Sequence, residues 1–355
     1  MIRAAAILIA TASLATAQPD QAPAQADSST ELVIAVRADA PPFSYRPGDT
    51  LLPPGTSSGR LAGQGYAGYM VYICDRVLDE MEERGSLAGL DIRIVEITAA
   101  NRFEKLRAQG VDDAVDVLCD PATVTRDRVR EFTASLPLYM SGIGFAAQPR
   151  EEIRQSPCPP QIGLVKSTTA FDQGLMRILD GNEWKNYREG LLKYMHNPTG
   201  WMASNPTCGL TAQPEPASAP EGSDDLGAID APPQPRSPPI MDFDDHQQVA
   251  EAFCAGRLQY YVGDLEIVNR ALKLFGTCDF RPAATTYSDD RYVIFMRNPD
   301  DAEPVKAQLL MRFSRTLSEL VLTRPSLLDA AFEANFEGYQ PSDKLRLFFW
   351  SIYGP

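Results

Sequence analysis

The stretch DVLCDPATVTRDRVREF, Asp116 to Phe132, sets a cysteine, two threonines and three arginines close together. Hydroxyl groups followed by guanidinium groups can hold an oxyanion, because a planar guanidinium offers two parallel donors to a carboxylate. The competing interpretation is the solvated first turn of a helix, which needs no ligand. Acidic groups elsewhere could balance such a site, and Asp264, in YVGDLE, stands where a strand should give way to a helix. It could bind a cation or act as an N-cap. Other chemistry is poorly supplied. There is no C-x-x-C, and the histidines are two, His196 and His246, both flanking the Pro-rich segment and expected at the surface, so a zinc site is not expected. No Ser/His/Asp or Cys/His constellation points to hydrolysis, and no cofactor is expected.

These residues need strands and helices to position them. ELVIAV reads as a strand through its alternating and β-branched residues, and Pro41-Pro42 stops it. GYMVYICDRVLDEMEERG places Met70, Ile73, Val77 and Met81 at helical spacing, with Gly85 closing the helix. DIRIVEIT, NRFEKLRAQG and AVDVLC then predict strand, helix and strand. That order describes an α/β lobe with a mostly parallel sheet. A second lobe begins near Gln161: QIGLVK, PIMDF and LQYYVGD predict strands, and TTAFDQGLMRIL, GNEWKNYREGLLKYM, DHQQVAEAFCAGR and LEIVNRALKLFG predict helices. RYVIFMR, the long AEPVKAQLLMRFSRTLSELV and SDKLRLFFWSIY complete the chain as strand, helix and helix.

Composition limits the function. The 355 residues suffice for two lobes, and 44% hydrophobic content belongs to a globular chain. A formal charge of −14 argues against nucleic acid. MIRAAAILIATASLATA has a basic residue, a short apolar core and an A-x-A ending, the layout of a signal peptide cut after Ala17. Residues 18–30 follow as a loose leader. Export to an oxidising compartment turns six cysteines into candidate disulfides. Between Asn197 and Pro239 the chain becomes rich in Pro, Ala, Ser and Asp and reads as a surface insertion.

RADAPPFSY, GYMVYICDRV, ITAANRFEKL, VDVLCDPATVTRDRVREFTASLPLYMSG, IGLVKSTTA, YYVGD and YSDDRYVIFMR occur in that order. Together they resemble the periplasmic solute-binding proteins of polar amino-acid ABC transporters, family 3. The resemblance runs from Leu32 to the C-terminus, outside the Pro-rich insertion. It implies the type II periplasmic-binding-protein fold: two α/β lobes with helix-flanked, mostly parallel sheets, joined by two crossovers around a ligand cleft. Residues 31–144 and 285–355 would form lobe one, and 145–284 lobe two, with crossovers near Gly142–Gln148 and Arg281–Ser288.

By the same resemblance Thr123 and Arg128 would clamp a ligand α-carboxylate, with Arg126 and Arg130 elsewhere on the turn and solvated, and Asp264 would take its ammonium. Thr168 and Thr169 are candidate donors from lobe two, or helix caps. Arg37 and Arg102 match the places where the glutamate/aspartate branch receives a second carboxylate. Three arginines in one cleft would repel one another unless carboxylates neutralised them, which points to an acidic amino acid. Phe43 and Tyr45 would wall the ligand or belong to the core. Asp120 and Pro121 replace the glycine and serine of many relatives. They add charge and remove an N–H donor beside the carboxylate site. Family members with cysteines at both places can bridge Cys74 and Cys119. The pairing of Cys158, Cys208, Cys254 and Cys278 stays open.

The implied function is capture of a polar amino acid by lobe closure, an acidic one where Arg37 and Arg102 receive a second carboxylate. The binder would be a periplasmic monomer delivering to an inner-membrane ABC permease. Two alternatives share the scaffold: a cyclohexadienyl-type dehydratase, with Asp120 as an acid in the right neighbourhood, and a receptor that works without a transporter.

Overall fold

A computed structural model describes residues 31–47, 58–110, 112–149, 158–181, 184–206, 208, 238–323, 326–336 and 338–353. The expected signal peptide and leader, and residues 209–237 of the insertion, lie outside the described residues.

The first lobe begins with β1 (Glu31–Arg37), α1 (Tyr69–Glu83), β2 (Asp91–Ile97), α2 (Arg102–Arg107) and β3 (Val117–Thr123). β1 runs parallel to both β2 and β3, as the strand–helix alternation requires. Two short strands follow, β4 (Thr133–Ala134) and β5 (Tyr139–Ser141). The chain then passes directly into the second sheet through β6 (Ile143–Ala147) and β7 (Ile162–Val165).

The second lobe continues with α3 (Leu175–Asp180), α4 (Arg188–His196), α5 (Pro198–Ser204), β8 (Ile240–Phe243), α6 (His246–Cys254), β9 (Tyr260–Asp264) and α7 (Leu265–Lys273). After β10 (Arg281–Pro282) the chain returns to the first sheet as β11 (Asp290–Met296). It ends in α8 (Pro304–Thr323), α9 (Ser326–Asn335) and α10 (Asp343–Tyr353). The first sheet has the order β2-β1-β3-β11-β4, with β5 also paired to β11; the second has β8-β7-β9-β6-β10. Each sheet is parallel on one side and antiparallel where a crossover strand joins it.

Two differences from the sequence reading have physical causes. The insertion does not start at Asn197: that side chain caps α5 by accepting from the Gly200 N–H, and Trp201 is buried. A Pro/Gly/Ser-containing helix has weak local signals and is held by packing and by its neighbouring Cys158–Cys208 bridge. The first crossover is also shorter than expected, because Ile143–Ala147 already belongs to the second sheet.

Cys74–Cys119 ties α1 to β3, and Cys254–Cys278 closes the third bridge. Cys158–Cys208 anchors the base of the insertion, a closure of the kind that stabilises by roughly 2–4 kcal/mol.

At the crossover the two connecting segments touch. A Cβ on Gly142 would stand 2.4 Å from the Ser288 carbonyl oxygen and 2.5 Å from Thr286 Cβ, so only glycine lets them pack. The Ile143 N–H donates to Ser288 Oγ at 2.8 Å, and that hydroxyl donates to Asp290 at 2.6 Å.

Candidate functional site

The expected site residues come from strand ends that face each other. Arg37 ends β1, Thr123 ends β3 and Arg102 opens α2 after β2, all in lobe one. Asp264 ends β9, and Thr168 and Thr169 follow β7, all in lobe two. Open α/β sheets bind ligands beyond the carboxyl ends of their strands, so the cleft lies where the topology requires it. The lobes meet there: Thr123 Oγ1 and Thr169 Oγ1 are 3.4 Å apart, and the His246 N–H donates to Asp39 Oδ2 at 3.3 Å.

The three arginines differ in what balances them. Arg37, 2% exposed, is held in a fork by Asp39, with Nε–Oδ1 at 2.8 Å and Nη2–Oδ2 at 2.7 Å. Burial works to raise the Asp39 carboxyl, but the charge and hydrogen bonds of Arg37 outweigh it and hold it well below the ordinary range. Arg102 donates from Nη1 to Asp120 Oδ2 at 2.5 Å and to the Pro121 carbonyl at 3.3 Å.

Among the described residues Arg128 has no such ion pair. Its Nη1 donates to the Thr123 carbonyl at 2.8 Å, and its guanidinium stacks on Phe103 at 4.3 Å. Burial, then repulsion from Arg102, pushes its pKa down to about 10. A cation disfavoured in this way is poised for an anionic ligand. Arg126 and Arg130, which the sequence left as solvated, are exposed.

This bears on the expectation of an acidic ligand. Three convergent arginines do need carboxylates, but the chain provides two of them itself in Asp39 and Asp120. The negative charge that looked awkward at Asp120 is the partner of Arg102. Pro121 contributes its carbonyl where its missing N–H had counted against it.

Asp264 stands at the N-terminus of α7 but makes no side-chain capping bond. Its Oδ1 is buried without a hydrogen-bond partner. Burial and the nearby Asp290 charge raise its pKa to about 7, while the Tyr292 hydroxyl favours the charged form. Asp290 is raised in turn by burial, with Ser288, Arg177 and Arg128 opposing. A carboxyl raised in this way, within the electrostatic reach of Arg128, suits an incoming cationic group.

The remaining expectations divide. Thr169 faces Thr123 across the cleft, whereas Thr168 is a local turn residue: its Oγ1 donates to the Val165 carbonyl at 2.7 Å and accepts from the Phe171 N–H. Phe43 is fully buried among Tyr69, Tyr139, Tyr292 and Phe336, so it is core and not a ligand wall. Tyr45 is buried and reaches Arg270 of α7 in the other lobe.

His246, expected at the surface, is 3% exposed, and its Nδ1 lies 2.6 Å from the Tyr261 hydroxyl. Burial and Arg37 hold its pKa down to about 3, so the ring is neutral. Asp39 was missed altogether. The signal was in plain sight as the carboxylate two residues after Arg37, but its second partner, the start of α6, comes from the other lobe.

No protein-family model matches the chain, and no curated protein matches it in sequence. Solved structures do match in shape. ArtJ, the arginine-, lysine-, histidine-binding protein from Geobacillus stearothermophilus, superposes with a TM-score of 0.51 at 13% identity, covering 89% of this chain and 100% of that one. An ancestral amino acid-binding protein, AncCDT-1, a precursor of cyclohexadienyl dehydratase, gives a TM-score of 0.51 at 13% identity, over 86% of this chain and 96% of that one. A histidine kinase sensor domain with similarity to periplasmic binding proteins gives a TM-score of 0.52 at 14% identity, with coverage of 86% and 96%. At such identities the likeness concerns the fold: this chain has the two-lobed α/β fold of periplasmic binding proteins.

Proposed function

We propose that the chain is an exported solute-binding protein that closes its lobes on a zwitterionic amino acid whose side chain brings no negative charge. The observation that carries this is the contrast among the arginines: Arg37 and Arg102 are balanced by Asp39 and Asp120, and Arg128 is not. The ligand α-carboxylate pairs with Arg128, with Thr123 and Thr169 beside it. The α-ammonium pairs with Asp264 from the opposite lobe. Contacts from both lobes favour the closed state, which is the only mechanism a binder requires. Neutral and basic side chains fit this charge balance; acidic ones do not. The A-x-A-terminated apolar leader supports export; delivery to an inner-membrane ABC permease, with the protein acting as a monomer, completes the proposal.

The test is a thermal-shift screen of the mature protein against the common amino acids. A ligand at a hundredfold excess over its dissociation constant adds roughly 2.7 kcal/mol, a clear rise in melting temperature. A shift by neutral or basic amino acids, absent in Arg128→Ala, supports the reading. No shift by any amino acid removes it.

One observation favours a second reading, an enzyme acting on a cyclic acid. A carboxyl titrating at about 7 inside a cleft is what a general acid needs, and Asp264 has that property. Asp120, the acid suspected from the sequence, is tied to Arg102 and unsuited. Incubation with a cyclohexadienyl acid would show turnover lost in Asp264→Asn under this reading, and no product under the first.

A further inference from the structure

Phe103, the second residue of α2, supports two of the three cleft arginines. The guanidinium carbon of Arg128 lies 4.3 Å from the centre of its ring, and that of Arg102 lies 5.0 Å away. Two other rings fix this one. Phe132 stacks on it at 5.7 Å with an interplanar angle of 28°, and Phe295 of β11 meets it edge-on at 5.7 Å. Phe295 is fully buried in a core cluster of lobe one, so the platform is anchored there.

The three arginines differ in what their donors are used for. Asp39 takes Nε and Nη2 of Arg37, and Asp120 takes Nη1 of Arg102. Arg128 donates from Nη1 to the Thr123 carbonyl and is otherwise held over the ring. The negative face of a ring attracts a cation but supplies no acceptor oxygen, so it consumes none of the N–H fork. A guanidinium stacks on a ring through its face and grips a carboxylate through its edge. Both partners fit at once.

The ring also competes with carboxylates of the chain itself. Asp120, Asp172 and Asp264 each attract Arg128 through their charge, yet among the described residues none forms an ion pair with it. An arginine without a fixed support would close its fork on one of them, as Arg102 does on Asp120.

We infer that Phe103 is a positioning residue of the cleft: its ring keeps Arg128 beside Thr123, away from the internal carboxylates, and leaves the fork free for the carboxylate of a ligand. This role rests on Arg128 being the carboxylate clamp, and it requires a ring with a negative face at this position.

The test uses acetate, a bare carboxylate, so the outcome does not depend on which amino acid the cleft takes. Acetate is titrated into the mature protein carrying isotopically labelled arginine, and the Nε–Hε resonance of Arg128 is identified by its loss in Arg128→Ala. Phe103→Leu removes the ring, and Phe103→Tyr keeps it. Replacing Phe103 by pentafluorophenylalanine keeps the shape of the ring and reverses the charge of its face. The Arg128 signal should respond to acetate with affinities within about twofold in wild type and Phe103→Tyr, and roughly fivefold or more weaker in Phe103→Leu and the fluorinated protein. A role in packing alone predicts no change in the fluorinated protein, which also decides the matter if Phe103→Leu does not fold. No response of Arg128 to acetate in wild type, or unchanged affinity in the fluorinated protein, overturns the inference. The expected acetate pattern in a protein that binds no amino acid upholds the role of Phe103 and removes the proposed ligand instead.

Discussion

Two buried carboxylates belong to the same stretch of lobe one and have opposite surroundings. Asp116, just before β3, accepts from the Val33 N–H at 2.9 Å and pairs with Arg297 and Lys306 at 3.3 and 3.0 Å. Arg297 in turn donates to the Ala108 and Val115 carbonyls. Asp120, within β3 and nearer the cleft, pairs with Arg102, yet Asp120 Oδ1 and Arg102 Nε are buried and have no hydrogen-bond partner. One arrangement is saturated and the other keeps spare capacity. Saturation marks structure, because nothing further can bind. In the proposed function, spare capacity beside Arg128 and Asp264 is where the ligand would complete the network.

The largest effect expected from this contrast is at the saturated end. Asp116→Ala leaves two cations without their carboxylate and should cost about 3–5 kcal/mol in denaturant unfolding, while ligand affinity of the folded fraction stays unchanged. An equal loss of affinity would break the division between the two regions.

Next comes Arg128→Ala, which should cost roughly 2–5 kcal/mol of ligand binding by calorimetry. The melting temperature of the unliganded protein should not fall, because this arginine carries a burial and repulsion penalty without an ion pair.

Asp120→Asn sharpens the comparison. It frees the charge of Arg102, and the expected outcome is a gain of about tenfold for glutamate relative to glutamine, read from paired titrations. The same change at Asp116 should leave that preference alone.

The smallest effect is the pH dependence set by Asp264. Its pKa of about 7 lies above the ordinary aspartate value, so its own contribution to folding stability is fully present below about pH 4 and is lost as pH rises through 7. Asp264→Asn should therefore raise the melting temperature at pH values above about 7 and match wild type near pH 4. Ligand affinity runs the other way. The ammonium needs the carboxylate, so binding weakens up to about tenfold per pH unit below about 7 and releases a proton. Titrations in buffers of different ionisation enthalpy measure that release.

Much of this was legible in the sequence because it depends on local order. Alternation along ELVIAVR and DIRIVEI, and helical spacing through Met70, Ile73, Val77 and Met81, fix strands and a helix whose apolar faces the two cores require. Thr123, Arg128 and Asp264 were singled out by the resemblance to family 3 binding proteins; Thr123 and Asp264 end strands, and Arg128 opens the short helix after β3. Arg37 and Arg102 were also found, but their role was not legible. It depends on Asp39 and Asp120, and short spacing along the chain cannot say whether a charge is shared with a ligand or spent on a neighbour. His246 and α5 were missed for a related reason. Their burial comes from contacts with distant elements, Tyr261 and Asp39 in one case and the Cys158–Cys208 bridge in the other.

The most direct measurement is a side-by-side calorimetric titration of glutamine, arginine and glutamate into the wild-type mature protein near neutral pH. If Asp39 and Asp120 already neutralise Arg37 and Arg102, at least one of the first two binds and glutamate does not. Tighter binding of glutamate would contradict this, and would mean that the two internal ion pairs open to receive its second carboxylate.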